Sequence, residues 1–191
     1  KSHPDDTSTL LQLAHCLKQQ GPNVLPVNAV YQQAEFIIRA EIARNPLEVR
    51  TQLKLLELLQ AQQRNGEVAR YTSLIENLIS HGNLGPEEIR HGQLHLARIL
   101  LDHGELARAE QHARDVARQQ MDERPARLLL AKVLLARHKL REVESLLTSA
   151  ADPVAFHPLG KDEAFILGIC LLEQGRVDEA DVHLRSAFQR D

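Results

Sequence analysis

Ten histidines, two cysteines and a cluster of arginines are the residues of this 191-residue chain with chemistry to offer. His91 and His95 stand four apart, which on a helix turns two imidazoles to one side and, with further ligands near, can hold a zinc ion. Gly92, Gln93 and Leu94 lie between them, so the glutamate of an HExxH zinc hydrolase is missing, and the neighbouring sequence offers no third ligand. The pair is read as solvated surface histidines, without a metal. Cys16 and Cys170 are far apart and show neither the CxxC nor the Cys/His spacing of a redox or zinc site. No GxSxG elbow, phosphate-binding loop or dinucleotide-binding glycine pattern occurs, and turns account for the glycines. No catalytic residue, cofactor or metal is assigned, and the chain is expected not to be an enzyme.

A nucleic-acid surface is the next candidate. Arg108, Arg114, Arg118, Arg124, Arg127, Arg137 and Arg141 cluster in mid-chain. Glu110, Asp115, Asp122, Glu123, Glu142 and Glu144 interleave with them, however, and no aromatic stands there to stack on a base. Such alternation is read as a solvated helix surface. Over the whole chain 23 Lys and Arg oppose 26 Asp and Glu, a formal net charge of -3, which gives no general pull towards nucleic acid or an anionic membrane. The longest apolar run, Ala164 to Leu172, falls well short of the ~18 residues that span a bilayer. The chain opens on Lys1 and Ser2 without a secretory signal, so the compartment stays open and a longer parent protein is expected.

The elements that would position a binding surface are legible in a repeat. With 43% hydrophobic residues but only 3% aromatic, the core must come from Leu, Ala, Ile and Val, which suit closely packed helices. Leu167-Gly168, Leu171, Gly175, Ala180, Leu184 and Ala187 recur 37 residues upstream (167 to 130) as Leu130-Ala131, Leu134, His138, Val143, Leu147 and Ala150. A further 34 upstream (130 to 96) the same slots hold Leu96-Ala97, Leu100, Gly104, Ala109, Ala113 and Val116. Another copy holds Leu55-Leu56, Leu59, Gln63, Val68, Thr72 and Ile75, with its glycine displaced to Gly66. The first copy starts Leu13-Ala14, Leu17, Gly21 and, after an expected loop over 22–29, resumes at Ala34 and Ile38. Small residues mark close helix crossings, Gly21, Gly104 and Gly175 end first helices, and Pro46 and Pro125 stand at hairpin junctions. A single hairpin cannot bury its apolar face, so neighbours must stack.

This pattern resembles the tetratricopeptide repeat over about residues 7 to 191, although no Trp or Tyr fills the aromatic slots. The resemblance implies an all-α, helical-hairpin solenoid of about five repeats in one domain over 1–191, at about 7–46, 49–82, 90–123, 124–157 and 161–191. It further implies that the first helix of each hairpin lines a concave groove. The groove slots are then Leu11, Leu53, Leu94, Leu128 and Phe165; His15, Glu57, Arg98, Lys132 and Ile169; and Lys18, Gln60, Leu101, Leu135 and Leu172. Part of the first series is equally open to packing first helices together.

The expected binding surface is Leu94, Arg98, Leu101, Asp102, Leu128, Lys132, Leu135, Phe165, Ile169 and Leu172, holding a peptide or helical segment of a partner protein. The Lys, Asn and Arg clamp with which some relatives grip an acidic chaperone tail is missing, because no Asn occupies a first-helix groove slot. The resemblance fits a scaffold module of the kind found in bacterial secretion, pilus or envelope assemblies. The alternative is an effector-sensing or self-association domain of a bacterial transcription regulator. Two packing expectations accompany this. Cys16 and Cys170 share a slot with Leu58, Ile99 and Val133 and are expected buried and unbridged. Val177, Leu184 and Phe188 are expected near an incomplete end, covered by further chain or by a neighbouring molecule, a homodimer included.

Overall fold

A computed structural model of the chain describes residues 26–119, 124–150 and 159–188. The expected first helix of copy one, with Leu11, Leu13, Ala14, His15, Cys16, Leu17, Lys18 and Gly21, lies outside them, as do Asp122 and Glu123. Within the described residues the chain is helical, without strands. The helices are α1 (Pro26–Arg44), α2 (Val49–Ala61), α3 (Asn65–His81), α4 (Pro86–Asp102), α5 (Leu106–Gln119), α6 (Arg124–Ala136), α7 (Leu140–Ala150), α8 (Lys161–Glu173) and α9 (Val177–Phe188). None of them is long and apolar enough to cross a membrane.

Two helices begin earlier than the sequence pattern indicates. The α1 helix starts at Pro26, inside the expected loop, and α4 starts at Pro86 rather than near 90. Proline costs nothing in the first position of a helix, where its missing N–H has no intrahelical partner. At α4 the Glu88 carboxylate also accepts the Gly85 N–H at 3.0 Å, and Glu87 joins Glu88 at the positive end of the helix dipole.

One turn recurs in four hairpins. Gln63, Gly104, His138 and Gly175 all take a positive φ, at 59°, 76°, 54° and 78°. In each, this residue donates its N–H three residues back and the next donates five back, as with Gln63 to Gln60 and Arg64 to Leu59, or Gly175 to Leu172 and Arg176 to Leu171. This pair of bonds is the Schellman motif, which satisfies the last carbonyls of the first helix. The displaced glycine of copy two does not move the turn, because Gln63 adopts the left-handed conformation and Gly66 lies inside α3.

The chain divides into two compact units, 1–92 and 93–191, the division falling within α4. In the first, α2 packs against both α1 and α3, so it buries leucines around most of its circumference: Leu53, Leu55, Leu56, Leu58 and Leu59. Ala34 and Ile38 of α1 and Val68, Ile75 and Ile79 of α3 complete this core. Each fully buried Leu or Ile contributes ~1.5–3 kcal/mol relative to exposure.

In the second unit α5 packs on α6, α6 on α7, and α8 on α6, α7 and α9. Ala97, Ala131 and Gly168 occupy the tight slot of the three first helices, and the alanines are fully buried. A Cβ on Gly168 would lie 2.6 Å from Leu184 Cγ, so glycine there is set by close approach. Cys170 is buried like its slot-mates Leu58, Ile99 and Val133, and its Sγ donates to the Leu140 carbonyl at 3.2 Å. Burial pushes its thiol pKa up. The expected lack of a bridge to Cys16 involves a residue outside the described ones.

Candidate functional site

The second unit carries a cavity of about 390 Å³ between α4 and α6. Leu94, Arg98, Leu101 and Asp102 line it from α4, and Leu128 and Lys132 from α6, so six of the ten expected groove residues meet there. His95, Pro125 and Leu129 also line it and escaped the slot reading. Each sits beside a slot residue or, for Pro125, one turn earlier on α6; a periodic reading that keeps one residue per turn overlooks such flanking positions.

The leucines Leu94, Leu101, Leu128 and Leu135 are half-buried, while Arg98, Lys132 and Asp102 are exposed. Leu135 and the three α8 residues lie outside the cavity wall. Of those three, Ile169 is half-buried, whereas Phe165 and Leu172 are exposed at 44% and 41%. Leu53, in the same slot as Leu94, Leu128 and Phe165, is buried in the first unit's core. That slot therefore packs helices in copy two and borders solvent in copies three to five.

His91 and His95, expected as a solvated surface pair, are both half-buried, and Arg98 donates to His95 Nδ1 at 3.3 Å along α4. Among the described residues no group of three His, Cys, Asp or Glu side chains is placed to hold a metal ion.

The mid-chain charges are likewise more than a solvated surface. Counting from the small core residue of each second helix, the next position holds Glu35, Ala69, Glu110, Glu144 and Asp181. The position after the left-handed turn residue holds Arg64, Glu105, Lys139 and Arg176. Across successive hairpins Arg64 bonds Glu35 at 2.7 Å, Lys139 bonds Glu110 at 2.7 Å and Arg176 bonds Glu144 at 2.6 Å. Glu105, an acid in the cation slot, turns to Arg108 of its own helix. Arg114 and Arg137 also reach Glu110, whose side chain is only 7% exposed. Burial alone would raise the Glu110 pKa; hydrogen bonds from Lys139 and Arg114 and the nearby arginine charges outweigh it and hold the carboxyl down at about 2.

Glu163, buried at the start of α8, follows the same logic. Burial works to raise its pKa, but the Gly160 N–H at 2.7 Å and Arg127 at 2.7 Å hold it below the ordinary carboxylate value. These buried carboxylates are committed to packing one hairpin on the next. They are not poised for acid–base chemistry, which needs a carboxyl pKa raised towards neutrality.

At α9, Val177 and Phe188 are exposed at 61% and 68%, while Leu184 is half-buried over Gly168. Phe188 also meets Phe165 edge to face, with ring centroids 6.3 Å apart.

No protein-family model matches the chain, and neither does any curated protein. Solved structures do. A Podospora anserina protein assigned as a kinesin light chain with nearly identical TPR-like repeats matches with a TM-score of 0.70 at 21% identity, over 99% of this chain and 96% of that one. MamA of Desulfovibrio magneticus RS-1 matches with a TM-score of 0.63 at 10% identity, over 99% and 96%. YrrB, described as a TPR protein with an unusual peptide-binding site, matches with a TM-score of 0.61 at 12% identity, over 97% and 86%. The helical-hairpin fold of the chain is thus that of tetratricopeptide-like repeats.

Proposed function

From this tetratricopeptide-like fold we propose that the chain is a protein-interaction module that holds a segment of a partner protein along the first helices of copies three to five. The observation that carries this reading is the cavity between α4 and α6. Its leucines stay half-open to solvent while two cations, Arg98 and Lys132, stand at its edge. Leu101, Leu135 and Leu172 repeat at a slot that is Gln60 in copy two, so the fold does not require Leu there. An apolar stripe with a charged rim is the common character of recognition surfaces. A buried aliphatic anchor contributes ~1.5–3 kcal/mol, against up to ~1 kcal/mol for an exposed ion pair. Affinity therefore comes from the leucines, and Arg98 and Lys132 favour acidic residues beside the partner's apolar anchors. The peptide-binding site for which YrrB is described is a precedent on the same fold.

The test replaces Leu101 and Leu135 with Ser, confirms an unchanged melting temperature, and measures affinity for the partner captured by the unaltered chain. Each replacement is expected to weaken binding by roughly ten- to a hundredfold. Unaltered affinity would put the binding surface elsewhere, and collapse of the fold would assign these leucines to the core.

A second reading, a small effector in the same cavity, rests on its volume, which falls within the ~300–1,000 Å³ of small-molecule sites. It leaves Phe165, Ile169 and Leu172 outside the site. Leu172→Ser weakens the binding of a protein segment and leaves that of a small effector unchanged.

A further inference from the structure

We infer that α9 is a self-association surface, on which a second copy of this chain docks its own α9 antiparallel across a two-fold axis. The surface begins with slots that inner hairpins cover. Val177 is exposed where its equivalents Leu140 and Leu106 are half-buried. Leu184 is half-buried where Leu147 and Ala113 are fully buried, and Phe188 is exposed where Ala117 is buried. At 100° per residue, Val177, Asp181, Leu184, Arg185 and Phe188 fall within an arc of about 100° on one side of the helix. Phe165, edge-on to Phe188, widens the apolar patch.

The order along this stripe selects the occupant. It runs apolar, acidic, basic, apolar: Val177, Asp181, Arg185, Phe188. Reversed, it runs apolar, basic, acidic, apolar, so in an antiparallel pair each charge faces its opposite and the stripe complements itself. An axis passing beside Val182 and His183 sets Val177 against Phe188 of the partner subunit, since both pairs are centred on the same point of the helix. It sets Asp181 against Arg185 of the partner subunit within one residue of the same centre. Such a contact is isologous, each residue pair occurring twice. Asp181 already bonds Arg185 within its own helix at 2.7 Å, so docking joins two such pairs into a ring of four alternating charges. Asp181 occupies the slot in which Glu35, Glu110 and Glu144 each accept a cation from the next hairpin, so an acid at this position is placed to accept a cation across a packing face.

The experiment is sedimentation of the whole chain from micromolar to near-millimolar concentration, with melting curves to confirm that every variant folds. A monomer–dimer equilibrium is expected. Phe188→Glu, Asp181→Arg and Arg185→Asp should each weaken it by at least about tenfold, through a buried charge in the first and like charges face to face in the others. The double variant D181R/R185D should restore dimerisation, because the reversed charges again meet opposites. A chain that stays monomeric throughout overturns the proposal and leaves the stripe to a helix of another protein. A dimer indifferent to Arg185→Asp, or one that the double variant fails to restore, overturns it equally and places the contact on another face.

Discussion

Lys139 Nζ lies 2.7 Å from Glu110 Oε1, and this contact joins the turn of one hairpin to the second helix of the hairpin before it. Lys139 can make it because the left-handed residue His138 fixes the chain direction just before α7. Glu110 can accept it because Ala109, beside it, is small enough to bring α5 into the core. The relationship recurs between Arg64 and Glu35 and between Arg176 and Glu144. A turn conformation, a small core residue and an ion pair thus act as one stacking device.

Glu110→Gln removes the charge that three cations share. The folded-state pKa of Glu110, about 2, lies below that of an unfolded carboxylate. Its contribution is therefore fully present above the unfolded pKa and is lost as pH falls through about 2. This contribution is on the order of 3 kcal/mol. Urea denaturation of the unaltered chain should show stability falling between about pH 5 and pH 2. The variant should be weaker at neutral pH and should lose less over that interval.

The turns make a separate prediction. Gly104→Ala and Gly175→Ala should each cost about 1–2 kcal/mol, although nothing lies within 4 Å of either added methyl, because the cost is the left-handed backbone itself. Gln63→Gly should stabilise by up to about 1 kcal/mol for the same reason. Thermal or urea melts of the three variants check the signs.

Two further glycines should respond in opposite directions. Gly66, inside α3 with open space around its Cβ position, should gain about 0.5–1 kcal/mol on replacement by Ala. Gly168→Ala forces its methyl onto Leu184 and should lose about 1 kcal/mol despite the better helix propensity.

The hairpins were legible because the small and large core slots repeat, and packing enforces that repetition. Leu130-Ala131, Leu134, Val143 and Leu147 match Leu96-Ala97, Leu100, Ala109 and Ala113 because both sets are buried against the same kinds of neighbour. The left-handed turns at Gln63 and His138 were less legible, since glycine advertises that conformation and these residues do not. The early starts of α1 and α4 were hidden by prolines, which read as breakers although they suit a first helical position. The ion pairs were scattered through an apparently alternating surface, and only their alignment on two slots distinguishes Lys139 from a solvated lysine. At the cavity, Leu94, Leu101 and Leu128 followed from the slot series. His95 and Leu129 did not, because a pocket between two helices takes residues from both sides of each stripe.

The most direct test of the groove is a photoreactive side chain at Lys132, exposed at the cavity edge, compared with the same group at Gln111, exposed on the second helix α5. With the captured partner present and the complex irradiated, mass spectrometry should find covalent adducts to one continuous partner segment from position 132 and none from position 111. Adducts from position 111 without any from position 132 would contradict a binding surface on the first helices.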